Sequence, residues 1–361
     1  MSAAADGGDG RDARARRRAR VLGVLAGSAA LLGLSMTLSA SSGALPIPAL
    51  TTLGALATGA RGHASSLDGA AAIVWNVRLP RVLMAALVGA SLGASGAAFQ
   101  GLFRNPLADP YHLGAAAGAS FGVTLALAVG GRLSTAFAQE PFAPGALSAA
   151  VPLFAFAGAL GAVLVTLLVS RGGSRSRTTS LLLAGVVVGG VLVSLTTYLM
   201  LRDADRLRAV FAWALGNLAL STWADLGRAW PYAAAGIAAL YVLARGLDAL
   251  QLGEDTARTL GVDPRATRLG VIVGASLATA ASVAFVGIIG FVGLVAPHVM
   301  RRLGAPNHRA LVPASALAGA TLLVLADLGA RTIIRPAELP VGVVTTLVGG
   351  PFFLWLLRRE T

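Results

Sequence analysis

The chain alternates long apolar runs with short polar breaks. Apolar runs fall at 21–38, 81–103, 112–130, 147–170, 178–201, 229–245, 268–286, 287–303, 311–331 and 340–357. About 20 apolar residues in a helix cross about 30 Å of hydrocarbon. The pattern therefore predicts an all-α, polytopic membrane protein with about ten transmembrane helices. The two runs that meet at Gly287 are the shortest. Val21–Leu38 follows a basic stretch, as a signal peptide would. It is long for the apolar core of a signal and no clear A-x-A site follows, so it reads as an uncleaved first span.

One break is unlike the others. Arg245–Arg268 reads RGLDALQLGEDTARTLGVDPRATR and carries Arg245, Asp248, Glu254, Asp255, Arg258, Asp263, Arg265 and Arg268. From Leu269 to Met300 no Asp, Glu, Lys or Arg follows. A polar island of this length sits in water or against another protein. Leu247, Leu250 and Leu252 form one apolar cluster and Ala257, Leu260 and Gly261 another, with Gly253 and the Gly261–Pro264 turn as breaks. Two small amphipathic helices, over about 246–268, are predicted to face a soluble partner. The plainer alternative is a solvated loop.

Composition sharpens this picture. Hydrophobic residues make up 56% of the chain and charged residues 12%, against roughly 25% charged in soluble domains. Cysteine is absent, which removes disulfides, thiolate metal sites and cysteine nucleophiles. Lysine is absent too, so all 29 basic residues are Arg. A Walker A loop requires its Lys, so this chain cannot itself be a P-loop ATPase. The net charge of +13 does not point to nucleic acid. Arg-rich loops follow from the positive-inside rule, with Arg171–Arg177, the island, Arg301–Arg309 and Arg358–Arg359 on the inner side. Residues 1–19 read as a disordered basic cytoplasmic tail, 20–361 as one transmembrane domain, and both termini as cytoplasmic.

Val88-Gly89-Ala90-Ser91-Leu92 recurs as Val273-Gly274-Ala275-Ser276-Leu277, preceded by Pro80-Arg81 and Pro264-Arg265. The copies lie in spans two and seven, which have opposite orientation, as in the inverted repeats of transporters. Gly89/Gly93, Gly114/Gly118/Gly122 and Gly185/Gly189 are spaced for close helix approach in lipid.

Candidate chemistry is sparse. An ion-coupled carrier keeps acids or His at membrane depth. Here Asp327 and Arg331 are spaced to pair on one helix, which explains both without a proton relay. Gln100 and Asn105 suit backbone hydrogen bonds. His298 has no second ligand nearby, so no metal site is predicted. No catalytic grouping appears, so the chain is not expected to be an enzyme. Without an energy source of its own, it directs attention back to the island.

Several ordered motifs then converge. They are Arg78-Leu79-Pro80-Arg81, Ser95-Gly96 to Gln100, Arg104-Asn105-Pro106-Leu107-Ala108-Asp109-Pro110, and Leu113-Gly114. Leu181–Gly185, Trp213-Ala214-Leu215-Gly216 with Trp223, and Gly290–His298 follow. Ala326-Asp327, Glu338-Leu339-Pro340-Val341-Gly342 and Gly349-Gly350-Pro351 complete the set. Over about 20–360 the chain resembles the permeases of iron-siderophore, haem and vitamin B12 ABC importers, the type II import fold.

That resemblance implies a multi-pass permease in the cytoplasmic membrane of a prokaryote. It implies a second permease subunit (a homodimer or a related paralogue), two ATP-binding subunits and an extracytoplasmic substrate-binding protein. ATP and Mg would be bound by the ATPases, with no cofactor on this chain. Asp255-Thr256-Ala257-x-x-x-Gly261 is similar to the E-A-A-x-x-x-G signature of import permeases, with Asp for Glu and Thr for Ala. ATPase coupling is thereby assigned to Leu252, Gly253, Glu254, Asp255, Ala257, Leu260 and Gly261. Docking of the binding protein falls to Arg78, Arg81 and Arg331, against interfacial snorkelling as the alternative for the first two. The pathway falls to Thr178, Thr179, Ser180, Gly185 and Gly189. The implied function is ATP-driven import of a bulky metal chelate, a ferric siderophore first, with haem or cobalamin as alternatives. An ion-coupled secondary transporter and a membrane scaffold are the readings from other classes.

Overall fold

A computed structural model describes residues 6–43, 47–136, 144–170, 177–201, 204–334 and 336–360. The described residues hold α-helices and short 3-10 and π turns. In order these are α1 (Asp6–Ser41), α2 (Ala49–Ala60), α3 (Gly69–Ile73), α4 (Leu79–Phe103) and α5 (Ala115–Ala136). Then come α6 (Pro144–Val169), α7 (Arg177–Met200), α8 (Ala204–Ala214), α9 (Trp223–Gln251) and α10 (Glu254–Thr259). The last are α11 (Pro264–Val286), α12 (Val292–Leu303), α13 (His308–Thr332) and α14 (Val341–Glu360). The all-α class is as the sequence predicts. Among the described residues, seven helices are long and apolar enough to cross a membrane. Parts of α2, α5 and α14 form shorter apolar helices.

Three elements differ from expectation. The helix α1 starts at Asp6, inside the segment read as a disordered tail. Ala and Arg are both good helix formers, and a span already formed supplies the nucleus from which the helix extends. The run 287–303 is not one span: α12 is only 12 residues long and starts at Val292. Gly287 and Phe291, at φ 83° and 68°, break the helix before it. The links after spans one and five also contain helices, α2 and α3 in one and α8 in the other, that were not anticipated.

The centre of the molecule is α4, which is buried from Val82 through Phe103 apart from a few positions. Its neighbours include α13, α11, α12 and α9. Lipid supplies no hydrophobic force between helices, so close backbone approach must hold them. Gly89 lies against Gly319 O, Gly93 against Ser315 O and Gly96 against Gly293 O, each too close to admit a Cβ. The G-x-x-x-G spacing read from sequence is thus a helix-crossing face. Gly118 and Gly122 of α5 make the matching crossing with Gly158 and Phe154 of α6. The two helices that carry the echo, α4 and α11, pack against one another, and Ser95 Oγ donates to Ala275 O at 3.2 Å.

The unwound stretch between α11 and α12 exposes backbone groups inside the bundle, where each needs a partner. Val286 O accepts from Asn217 N at 2.8 Å. Ile289 uses both backbone groups on the Tyr111 hydroxyl, at 3.2 and 3.3 Å. Asp109 caps the short turn that carries Tyr111, accepting from Tyr111 N. Burial pushes the Asp109 carboxyl above the usual range, and the Tyr111 N–H works against that shift.

Substituting Gly89→Ala or Gly96→Ala should destabilise the detergent-solubilised protein by about 1–3 kcal/mol through overpacking. Gly190→Ala should be neutral, since nothing lies within 4 Å of the new Cβ. Thermal unfolding followed by size-exclusion chromatography checks both; equal midpoints for all three would show that the crossing is not a tight one.

Candidate functional site

The charged island folds differently from two separate helices. Helix α9 continues to Gln251, so Leu247 and Leu250 are core residues, 0% and 6% exposed. Only α10 is an independent helix, and it has six residues. Gly253 starts it at φ 114° and Gly261 ends it at φ 78°, conformations that a side chain resists. Asp263 then caps α11 by accepting from Arg265 N at 2.8 Å.

Within this tip, Ala257 is fully buried while Leu252 and Leu260 are 66% and 61% exposed. Two apolar side chains project beside a ring of charge, and the tip is braced from below. Glu254 pairs with Arg268 of α11 at 2.6 Å, and Arg258 pairs with Asp255 at 2.8 Å. The first tie crosses from α10 to α11. Gly261 has open space around it and faces solvent.

At the opposite end, Arg78, Arg81 and Arg331 converge, as expected of residues with a common role. Their setting is not the expected one. They are 7%, 8% and 6% exposed and are engaged within the chain. Arg81 Nε and Nη2 donate to Asp327 at 2.9 and 2.8 Å, and Nη1 meets Glu338 at 2.9 Å. Arg331 pairs with the same carboxylate at 3.1 Å, the i,i+4 pair anticipated from sequence. Arg331 also donates to Ser39 O and Ser42 O, both at 3.0 Å, and Arg78 donates to Ala40 O and Ser41 O at 3.0 and 2.9 Å. The last carbonyls of a helix have no intrahelical donor, and here two guanidiniums cap the end of α1. A fully buried Asp327 requires such partners. The arginines as placed cross-link α1 to α13 and to the start of α4. Of the acids involved, Glu338 is the accessible one, its side chain 43% exposed.

The pathway residues on α7 divide. Thr179 is exposed and Ser180 half-buried, at the start of the helix; the side chain of Thr178 lies outside the described residues. Gly185 is buried against His112 O, and Gly189 faces the side chain of Ala117. Gly185 is thus a packing position, Gly189 is half-buried and Gly190 is open. The open side carries Leu183, Val186, Val187, Val191 and Leu195. Gln100 and Asn105 bond backbone as predicted, Gln100 Nε2 to Gly293 O and Asn105 Oδ1 to Leu107 N. Among the described residues no group of three metal-ligating side chains occurs.

A central glycine-faced helix, broken spans and a short tip helix between α9 and α11 together describe a transporter subunit. The FecCD transport family model matches residues 30–359. The chain belongs to the FecCD transport family. It is 39% identical over 317 residues to the cobalamin import system permease protein of Halobacterium salinarum, covering 88% of this chain and 80% of that one. It is 36% identical over 340 residues to the iron(3+)-hydroxamate import system permease protein of Bacillus subtilis, covering 93% and 83%. A solved metal-chelate type ABC transporter in an inward-facing conformation aligns with TM-score 0.77 at 31% identity, covering 93% of this chain and 99% of that one. The protein is thus a multi-pass permease of the ABC importers for iron chelates, haem and vitamin B12, with the type II importer fold. Permeases of this kind work in complexes with other subunits.

Local sequence carried no sign of the Arg81–Glu338 pair or of the caps on α1, because the partners are up to 292 residues apart. Asp327→Asn should cost about 3–5 kcal/mol, since it leaves buried arginines without their counter-charge. Glu338→Gln should cost less than about 1 kcal/mol, the half-exposed pair being screened by water. Denaturant-dependent loss of monodispersity in detergent separates the two; a Glu338 variant as damaged as the Asp327 variant would contradict the assignment of the core charge to Asp327.

Proposed function

We propose that the protein translocates a bulky metal chelate, a ferric siderophore in the first instance, and that a separate ATPase drives it through α10. The observation that carries this reading is the exposed Leu252 and Leu260 at a tip whose base is tied to α11 by Glu254 and Arg268. Two apolar knobs within a charged rim suit insertion into a cleft of a soluble partner. The short helix between glycines allows the tip to move as one piece. ATP and Mg would reside on two such ATPase subunits, with this chain contributing force transmission rather than chemistry.

In this reading the α10 end and both termini are cytoplasmic and the arginine cluster is extracytoplasmic, in accord with the Arg-rich loops. A second permease, either another copy or a relative, completes the pathway. The open, uncharged side of α7 would line it, starting at Thr178, Thr179 and Ser180, and a wall of Val and Leu offers a large chelate no strong hold. Selectivity then falls to a binding protein docked at the outer end. That docking would use the accessible Glu338 and the platform braced by Arg78, Arg81 and Arg331. The two relatives named for different cargoes, cobalamin and an iron hydroxamate, have similar identity to this chain. Similarity alone therefore does not choose between a siderophore and cobalamin, and haem fits the same wall.

Leu252→Glu and Leu260→Glu together should leave the permease folded but lose ATPase co-purification in mild detergent and energised uptake by at least about tenfold. Retention of both by a monodisperse variant would refute coupling through α10. The cargo is tested separately, by identifying the ligand of the binding protein that co-purifies with the parent complex.

A further inference from the structure

A cavity of about 460 Å³ opens at the α10 end of the bundle, apart from α10 itself and from the α7 surface. It lies among the end of α4, the end of α9 and the link from α12 to α13. Its polar lining includes Arg104, Asn105, Arg301, Asn307, His308 and Asp248.

The donors outnumber the acceptors. Asp248 is the one acid among the lining residues, and its Oδ1 is engaged by His308, accepting from His308 N at 2.9 Å and from Nδ1 at 2.7 Å. Asn105 Oδ1 accepts from Leu107 N and Asn307 Oδ1 from Ala310 N, so both amides have turned their oxygens to backbone and their NH2 groups away from it. Arg301 uses Nη1 on Gln100 Oε1 at 2.5 Å, and Arg104 uses Nη2 on Leu250 O. Each guanidinium has five N–H donors, so most remain. His308 donates Nδ1–H to Asp248, and its Nε2 packs against Gly101, so the ring adds no donor to the cavity.

The backbone adds a further sign. Arg104 ends α4 in the left-handed region at φ 49°, a position that glycine usually fills. Only Arg104 and Phe291 adopt positive φ among the described non-glycine residues. That conformation costs about 1–2 kcal/mol for a side chain, and from it the Arg104 guanidinium reaches the Leu250 carbonyl at the end of α9 beside the cavity.

We propose that this cavity binds a phosphate group. Two arginine forks and two amide NH2 groups reach it from three separate elements, which suits a tetrahedral oxyanion better than a flat carboxylate. The phosphate has two chemical sources, the headgroup of an anionic phospholipid at the membrane surface or phosphate in solution. Bound there, it links the end of α4 to α12 and to the start of α13. This is independent of the cargo and of the coupling role given to α10.

The test uses the full chain in nanodiscs and two probes, inorganic phosphate in neutral phosphatidylcholine discs and phosphatidylglycerol in place of part of the phosphatidylcholine. Hydrogen–deuterium exchange of 100–108 and 300–310 is the readout. Asn105→Asp and Asn307→Asp retain the turn and the cap, because a carboxylate oxygen accepts the same backbone bonds, but bring negative charge into the cavity. Each should weaken protection about tenfold, and Arg301→Gln should do the same. Arg265→Gln, away from the cavity, should match the parent. Protection by millimolar phosphate in neutral discs identifies the soluble ion; protection by phosphatidylglycerol alone identifies the lipid. Absence of protection by either probe, or equal protection in the Asp variants, overturns the proposal.

Discussion

The fold depends on backbones touching. Helix α4 crosses α13 at Gly89 and Gly93 and meets α12 at Gly96, with carbonyl oxygens where side chains would otherwise stand. In a bilayer the surrounding chains are as apolar as Leu, so burial of leucine gives helices no reason to prefer one another. What distinguishes the correct neighbour is the dense van der Waals contact that glycine permits. The rest of the molecule is arranged around that crossing. It sets the α4 axis, and with it the positions of Arg81 at one end and Arg104 at the other.

The polar groups of the bundle occupy its two ends and do different work. At one end Asp327 is shared by Arg81 and Arg331, and the same arginine set closes the end of α1. Those interactions are internal to the chain. At the other end the charges are mostly in water, around a six-residue helix whose Leu252 and Leu260 are offered outward. A permease that converts motion at one end into opening at the other needs this contrast. Paired, buried charge frames one end, and the exposed tip bounded by Gly253 and Gly261 would be the handle in the proposed coupling.

The spans were legible because lipid imposes a length on apolar runs, and the island was legible because charge cannot lie in lipid. The glycine spacing also gave the right crossing face on α4. Other features depended on information that no local window holds. Leu247 and Leu250 looked like one side of a separate amphipathic helix, but the absence of a breaker before Gly253 lets α9 run on and bury them. Arg78 and Arg81 looked like surface groups because arginine usually is one; only the arrival of Asp327 and the end of α1 makes them internal. Gly185 and Gly189 were assigned to an open wall, whereas Gly185 is required by His112 O. Small residues serve packing and smooth walls equally well, and sequence does not say which neighbour arrives.

The caps on α1 have a consequence for how the chain is made. Helix α1 leaves the ribosome before α13, and Arg331, which caps it, lies 292 residues beyond Ser39. Until α13 has been synthesised, the carboxyl end of α1 has no guanidinium from that helix to close it. Water at the membrane surface must solvate those carbonyls in the interval, and much of the outward face of α1 remains lipid-exposed even afterwards. The tie from α1 to α13 is thus a contact of very long range, made after Arg78, only 37 and 38 residues on, is available to Ser41 O and Ala40 O.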